Sequence, residues 1–143
     1  MVKLITFSTF LAATVSATNL KWDSNYSYSK NLALTSFACS DGVNGLITKT
    51  GAKTVGELKA KLKPNVYIAA TPFIASWNSP NCGKCYRARN PANNKSIYIV
   101  AGDVSKPDAV TGEEGFTAIA QTGLGQGSFN VYLSEVPASN CFA

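Results

Sequence analysis

Four cysteines, Cys39, Cys82, Cys85 and Cys141, all lie downstream of an apolar leader, and this arrangement constrains the fold more than any other feature. The leader has Lys3 at its positive start, an apolar stretch from Leu4 to Val15, and small residues at Val15-Ser16-Ala17, the pattern of a secretory signal peptide cleaved after residue 17. It is too short to cross a bilayer, which takes about 20 apolar residues. In an exported chain an even cysteine count reads as disulfides, and four cysteines admit three pairings that spacing alone does not choose between. The close pair in Cys82-Gly-Lys-Cys85 suggests a redox or zinc motif only weakly. Tyr86-Arg-Ala-Arg89 continues it as a strand, with no helix dipole to lower a thiolate pKa, and zinc would need a second ligand pair.

The chain has no histidine, which removes the usual base of a nucleophilic triad. A hydrophobic content of 45% against 15% charge fits one compact domain over residues 18–143 rather than a disordered chain. The net charge of +5 is mild and scattered: Lys49, Lys53, Lys59, Lys61 and Lys63 lie near one another, with Arg87 and Arg89 elsewhere. These lysines read as a solvated face. Without a recognition helix, an RNA-binding motif or a dense basic arm, nucleic acid is not an expected partner, whereas acidic wall polymers fit the charge. No metal and no cofactor are expected.

Short apolar runs rich in β-branched and aromatic residues predict strands at Leu32–Phe37, Val66–Ala70, Ser96–Val100 and Phe129–Val136, with weaker candidates at Leu20–Tyr28 and Cys85–Arg89. Thr54 and Glu57 stand at capping-box spacing before Leu58 and Leu62, and Thr111 and Glu114 do so before Phe116 and Ile119, predicting two helices. Many short strands with few helices give a mostly β fold with short helices, best satisfied by a small barrel.

Four segments, Cys39-Ser-Asp-Gly-Val-Asn-Gly-Leu46, Trp77-Asn-Ser-Pro-Asn-Cys-Gly-Lys-Cys85, Ser96-Ile-Tyr-Ile99 leading to Asp103, and Ser139-Asn-Cys141, resemble the cerato-platanin family of secreted fungal proteins. The resemblance spans residues 18–143. It implies a six-stranded double-psi β-barrel like that of expansins, disulfides Cys39–Cys82 and Cys85–Cys141, secretion to the extracellular fungal cell wall, no catalytic residues, and binding of chitin (N-acetylglucosamine oligomers) or another wall polysaccharide. It also implies activity as an elicitor or effector through a plant receptor, and in some members loosening of cellulose without hydrolysis. A monomer or weakly self-associating protein is expected.

Carried over residue by residue, the family's shallow groove involves Ser40, Asp41 and Gly42, Asn44 and Gly45, Trp77, Asn78 and Ser79, and Asp103, with Trp22-Asp23 where the family usually has Tyr-Asp. An aromatic face covers a pyranose ring while short amides, hydroxyls and carboxylates hydrogen-bond its substituents. The same residues also suit structure: Asp41-Gly42 and Asn44-Gly45 are turn formers that supply positive φ, Trp77 is a candidate core residue, and Asp103 a candidate turn cap. Asp108-Ala109-Val110 stands where the family usually has Gly-Phe-Asn, and its Gly-Gly is missing from Tyr67–Ile74.

A hydrolase would need two carboxylates facing one bond, and Asp41 with Asp103 is the pair to test. The residues favour a non-enzymatic carbohydrate-binding protein; the alternative is an amphiphilic protein that assembles at interfaces through exposed aromatics. Asn25 and Asn94 each head a glycosylation acceptor pattern.

Overall fold

The computed structural model describes residues 14–143. Residues 1–13 of the expected leader lie outside the described residues. Six strands, β1 (Val15–Trp22), β2 (Val66–Thr71), β3 (Cys85–Asn90), β4 (Lys95–Val104), β5 (Ala109–Thr111) and β6 (Ser128–Val136), close into a barrel in the order β1-β5-β2-β4-β3-β6. The β1/β5 and β2/β4 pairs are parallel and the rest antiparallel. This is the mixed barrel that the double-psi expectation requires. Val15, Ser16 and Ala17 pair with Ser134, Leu133 and Tyr132, so cleavage after Ala17 would leave β1 the residues from Thr18 on.

Burial follows strand periodicity. In β6, Phe129, Val131 and Leu133 point into the barrel while Ser128, Asn130 and Tyr132 face out. Ile97, Ile99, Val100 and Ala101 of β4 are fully buried, so this strand is covered on both faces from Ile99 to Ala101. Helix α3 (Glu113–Ile119) seats Phe116 in the core, its ring centroid 4.8 Å from that of Phe129.

The two disulfides are Cys39–Cys82 and Cys85–Cys141, with Cα separations of 5.4 and 5.9 Å. Only three positions apart, Cys82 and Cys85 thus serve different bridges. One ties the loop before helix α1 (Leu46–Thr50) to the loop before β3, and the other ties the start of β3 to the chain's end.

Several sequence expectations are corrected. Leu32–Phe37 is not a strand: a single bridge joins Ala33 to Thr54, and Leu34–Ser36 turn as a 3-10 segment. The apolar run there reflects the complete burial of Leu34, and a closed barrel offers no edge to extend the pairing. The strand read through Leu20–Tyr28 ends at Trp22, because the Asp23 carboxylate accepts from Asn25 N (2.8 Å) and starts a 3-10 turn over Ser24–Tyr26. Helix α2 (Val55–Lys59) starts as expected, with Thr54 Oγ1 accepting from Glu57 N, but Glu57 reaches back to Lys53 N rather than to Thr54. The cap expected at Thr111 is absent. Thr111 lies in β5 with its hydroxyl donating to Ile68 O, Gly112 precedes α3, and Glu114 accepts from Ser27 Oγ (2.6 Å). Helix α1 and the three-residue β5 carry too few residues to show a period.

Candidate functional site

The loop from Ser40 to Gly45 and the segment Trp77–Ser79 dock on one another. The Cys39–Cys82 bond anchors both, and Cys39 N donates to Gly102 O on β4 (3.1 Å). Asn78, in the left-handed region at φ +58°, accepts from Asn44 N through Oδ1 (2.9 Å) while its carbonyl receives Asn44 Nδ2 (3.1 Å). Gly42 is required twice over: its φ is +81°, and a Cβ there would lie 2.7 Å from Asn78 Oδ1 and 3.0 Å from the Trp77 ring. Gly45 differs from the turn expectation. Its φ is −68°, open to any residue, and the glycine is demanded instead by space.

Trp77 is not a core residue. Its side chain is 57% exposed, and its indole Nε1 donates to Asp41 Oδ1 at 2.7 Å. That bond holds the exposed Asp41 carboxyl below its usual pKa of 3.8, with a smaller contribution from Ser40, whose hydroxyl lies 3.3 Å away. Ser40 and Ser79 are themselves buried; Ser79 Oγ accepts from Asn81 N (3.2 Å). The exposed surface is therefore made of Asp41, Val43 and Trp77, with Asn44 and Asn78 locked together beneath. Val43, 75% exposed in the same loop as Asp41, carries no signal in the sequence, where it is an isolated valine in a loop.

Asp103 sits in β4 behind the loop. Its Oδ2 accepts from the Tyr26 hydroxyl (2.7 Å) and its Oδ1 from Ala38 N (2.9 Å). Burial first, then this hydrogen bond and the negative charges of Asp103 and Asp23, push the Tyr26 phenol up from its usual value. The Tyr26 ring also stacks on Phe37 at 5.3 Å. Asp103 thus joins three segments, and sequence reasoning missed its partners Tyr26 and Ala38. Replacing Asp103 by Ala strands a phenol and an amide that are partly buried, at a cost of about 1–3 kcal/mol. The expected outcome is a melting temperature several degrees lower in a thermal melt, with Asp103→Asn intermediate.

Trp22 and Asp23 lie apart from this loop pair. The Trp22 indole, 36% exposed, donates to Leu124 O (3.2 Å), and Asp23 N donates to Thr111 O (3.0 Å). Among the described residues no hydrogen bond joins either to residues 40–45. Asp108 forms an ion pair with Lys21 (2.8 Å), and Ala109 is buried against β1, so the changed segment closes the barrel. Asn25 and Asn94 are both exposed; the Asn25 amide oxygen accepts from Lys30 Nζ (2.6 Å), and Asn94 sits at φ +59° in the β3–β4 turn. Two clefts lie outside this assembly, one of about 580 Å³ beside Lys49, Lys61 and Phe142, the other of about 430 Å³ beside Tyr28, Lys59, Lys63 and Tyr67.

Residues 18–142 match the family model described as cerato-platanin. The chain belongs to the cerato-platanin family. It is 35% identical over 139 residues to the heat-stable 19 kDa antigen of Coccidioides immitis, covering 94% of this chain and 89% of the relative. Its fold superposes on cerato-platanin 3 from M. perniciosa with a TM-score of 0.75, 29% identity and coverage of 87% and 97% of the two chains. The solution structure of the fungal elicitor cerato-platanin matches with a TM-score of 0.70 and 32% identity, covering 85% and 94%. Cerato-platanins are secreted fungal proteins known as elicitor-like, and in this one no helix among the described residues is long and apolar enough to cross a membrane.

Proposed function

We propose that this cerato-platanin is a non-enzymatic carbohydrate-binding protein of the fungal wall that takes chitin oligomers on the Asp41–Trp77 face and acts as an elicitor or effector toward plants. The observation that carries the reading is Trp77, an indole left 57% exposed yet held by its hydrogen bond to Asp41. An exposed ring fixed in place offers a flat apolar face at low entropic cost, and the free carboxylate oxygen of Asp41 accepts from sugar hydroxyl or acetamide N–H groups. The elicitor role rests on the likeness to the fungal elicitor cerato-platanin.

Binding without cleavage is favoured by the carboxylates. A glycosidic general acid needs a raised pKa, and Asp41 is shifted downward; Asp103 already accepts two internal hydrogen bonds. The exposure of Val43 and Trp77 favours a second reading, assembly at interfaces, which would show as concentration-dependent scattering without sugar.

Titrating N-acetylglucosamine oligomers into isotopically labelled protein tests the proposal. Shifts are expected at Asp41, Asn44, Trp77 and Asn78, with affinity around millimolar to micromolar, since each polar contact nets only about 0.5–1.5 kcal/mol. Trp77→Ala should weaken binding about tenfold. Shifts confined to other surfaces would remove this face as the site, and recovery of shortened oligomers would overturn the non-enzymatic reading.

A further inference from the structure

We infer that the lysine ridge spanning Lys49 to Lys63 is a second binding surface, for a polyuronate, an acidic polysaccharide bearing one carboxylate per sugar, distinct from the Asp41–Trp77 face. Five lysines and one glutamate occupy this stretch, and all five lysine side chains are exposed. Among the described residues none of them forms an ion pair; the pairs present are Lys21–Asp108 and Lys84–Glu135. Glu57, within the stretch, accepts from Lys53 N (2.7 Å), and Glu114, which lines the second cleft, accepts from Ser27 Oγ (2.6 Å). Both carboxylates keep their charge, so over Lys49–Lys63 five positive charges stand against the one of Glu57, a net positive field on a chain of net charge +5.

Its backbone is held in place. Leu62 bridges to Phe142, Lys63 N donates to Cys141 O (2.8 Å), and Lys61 O accepts from Ala143 N (2.9 Å). Lys61 lies in the turn that ends α2, with Lys61 N donating to Leu58 O (2.8 Å), and Leu62 is buried while Lys61 and Lys63 on either side of it are exposed. The two clefts named above flank this segment, Lys49 and Lys61 lining one, Lys59 and Lys63 the other. Lys49 Nζ is fixed by Cys82 O (2.7 Å).

The second cleft identifies the partner as a sugar polymer. Tyr28 and Tyr67 stack there at 5.8 Å, and the Lys59 ammonium lies 4.8 Å from the Tyr28 ring centroid. Aromatic rings beside ammonium groups match a pyranose ring that carries a carboxylate. The ridge contains lysines and no arginine, so it offers point charges rather than a bidentate fork, and the oligodeoxynucleotide in the test below separates carboxylate from phosphate. Recognition by point charges along a line suits carboxylates spread along a chain, and it is screened by salt.

The test measures binding of oligogalacturonate, a single-stranded oligodeoxynucleotide of equal charge, and phosphatidylserine/phosphatidylcholine vesicles to the wild type, to a combined Lys59→Gln, Lys61→Gln, Lys63→Gln variant, to each single variant, and to Trp77→Ala. Oligogalacturonate is expected to bind best, with affinity falling steeply as salt is raised. The triple variant should lose about tenfold, the singles proportionally less, with unchanged melting temperature and unchanged response to N-acetylglucosamine oligomers. Trp77→Ala should keep its oligogalacturonate affinity, so failure here is separable from failure of the chitin site. Full oligogalacturonate affinity in the triple variant, or in every single variant should the triple not fold, overturns the proposal. Tighter binding of the oligodeoxynucleotide or the vesicles than of oligogalacturonate overturns it in favour of that partner.

Discussion

Reduction of both disulfides is expected to unfold the barrel at or slightly above room temperature. The bridged cysteines are 43 and 56 residues apart, and closing loops of that length in the unfolded chain is worth about 4 kcal/mol each on the chain-entropy model. Domains of this size are stable by only about 5–15 kcal/mol in total, so losing both removes about half of that margin or more. Circular dichroism melts with and without reductant measure this directly. Unreduced protein should take up no alkylating reagent, because none of the four cysteines is free. Replacing Cys85 and Cys141 by Ser should lower the melting temperature but spare the Asp41–Trp77 face, whereas the same change at Cys39 and Cys82 should also loosen that face. A reduced protein that melts at the temperature of the oxidised one would show that the core holds the barrel alone.

Gly45→Ala is expected to cost roughly 1–3 kcal/mol and to weaken sugar binding with it. The new Cβ would fall 2.2 Å from both Ser40 O and Asp41 O, and backbone atoms cannot step aside as a flexible side chain can. Those carbonyls come close for a reason: Ser40 O accepts from Ile47 N (3.0 Å), and the neighbouring Cys39 O from Leu46 N (3.1 Å), which winds the 39–41 backbone around the start of α1. Relief requires the loop to open, and opening carries Asp41 away from the Trp77 indole. Gly125→Ala is the control, since nothing lies within 4 Å of its Cβ position and its φ is not in the left-handed region. Tryptophan fluorescence and a thermal melt read the two effects together. An alanine variant matching the wild type in both would mean that the loop carries no strain from the added methyl.

The barrel was legible because β6 alternates cleanly and because β2 and the Ser96–Val100 run within β4 are β-branched and bounded by turn residues. The Leu32–Phe37 run misled because full burial and strand pairing produce the same apolar signal when the segment is six residues long. The Thr111 cap misled for a related reason: its hydroxyl had a choice of acceptors, and the tertiary one, Ile68 O on β2, is nowhere visible from local spacing. At the site, the docking of residues 40–45 on 77–79 was foreshadowed by the cysteines that bracket them. The role of Asp103 was not, since its partners Tyr26 and Ala38 are 77 and 65 residues away.

The first strand of the barrel pairs with the last, Thr18 beside Val131 and Leu20 beside Phe129. While the chain is being made, β1 is therefore waiting for a neighbour that emerges at the end of synthesis, and the sheet cannot close until then. A topology dominated by such distant pairings folds slowly, in milliseconds to seconds. Cerato-platanins are secreted proteins, and this topology defers both closure of the sheet and the Cys85–Cys141 bond, which needs the last few residues, until the whole chain has been made.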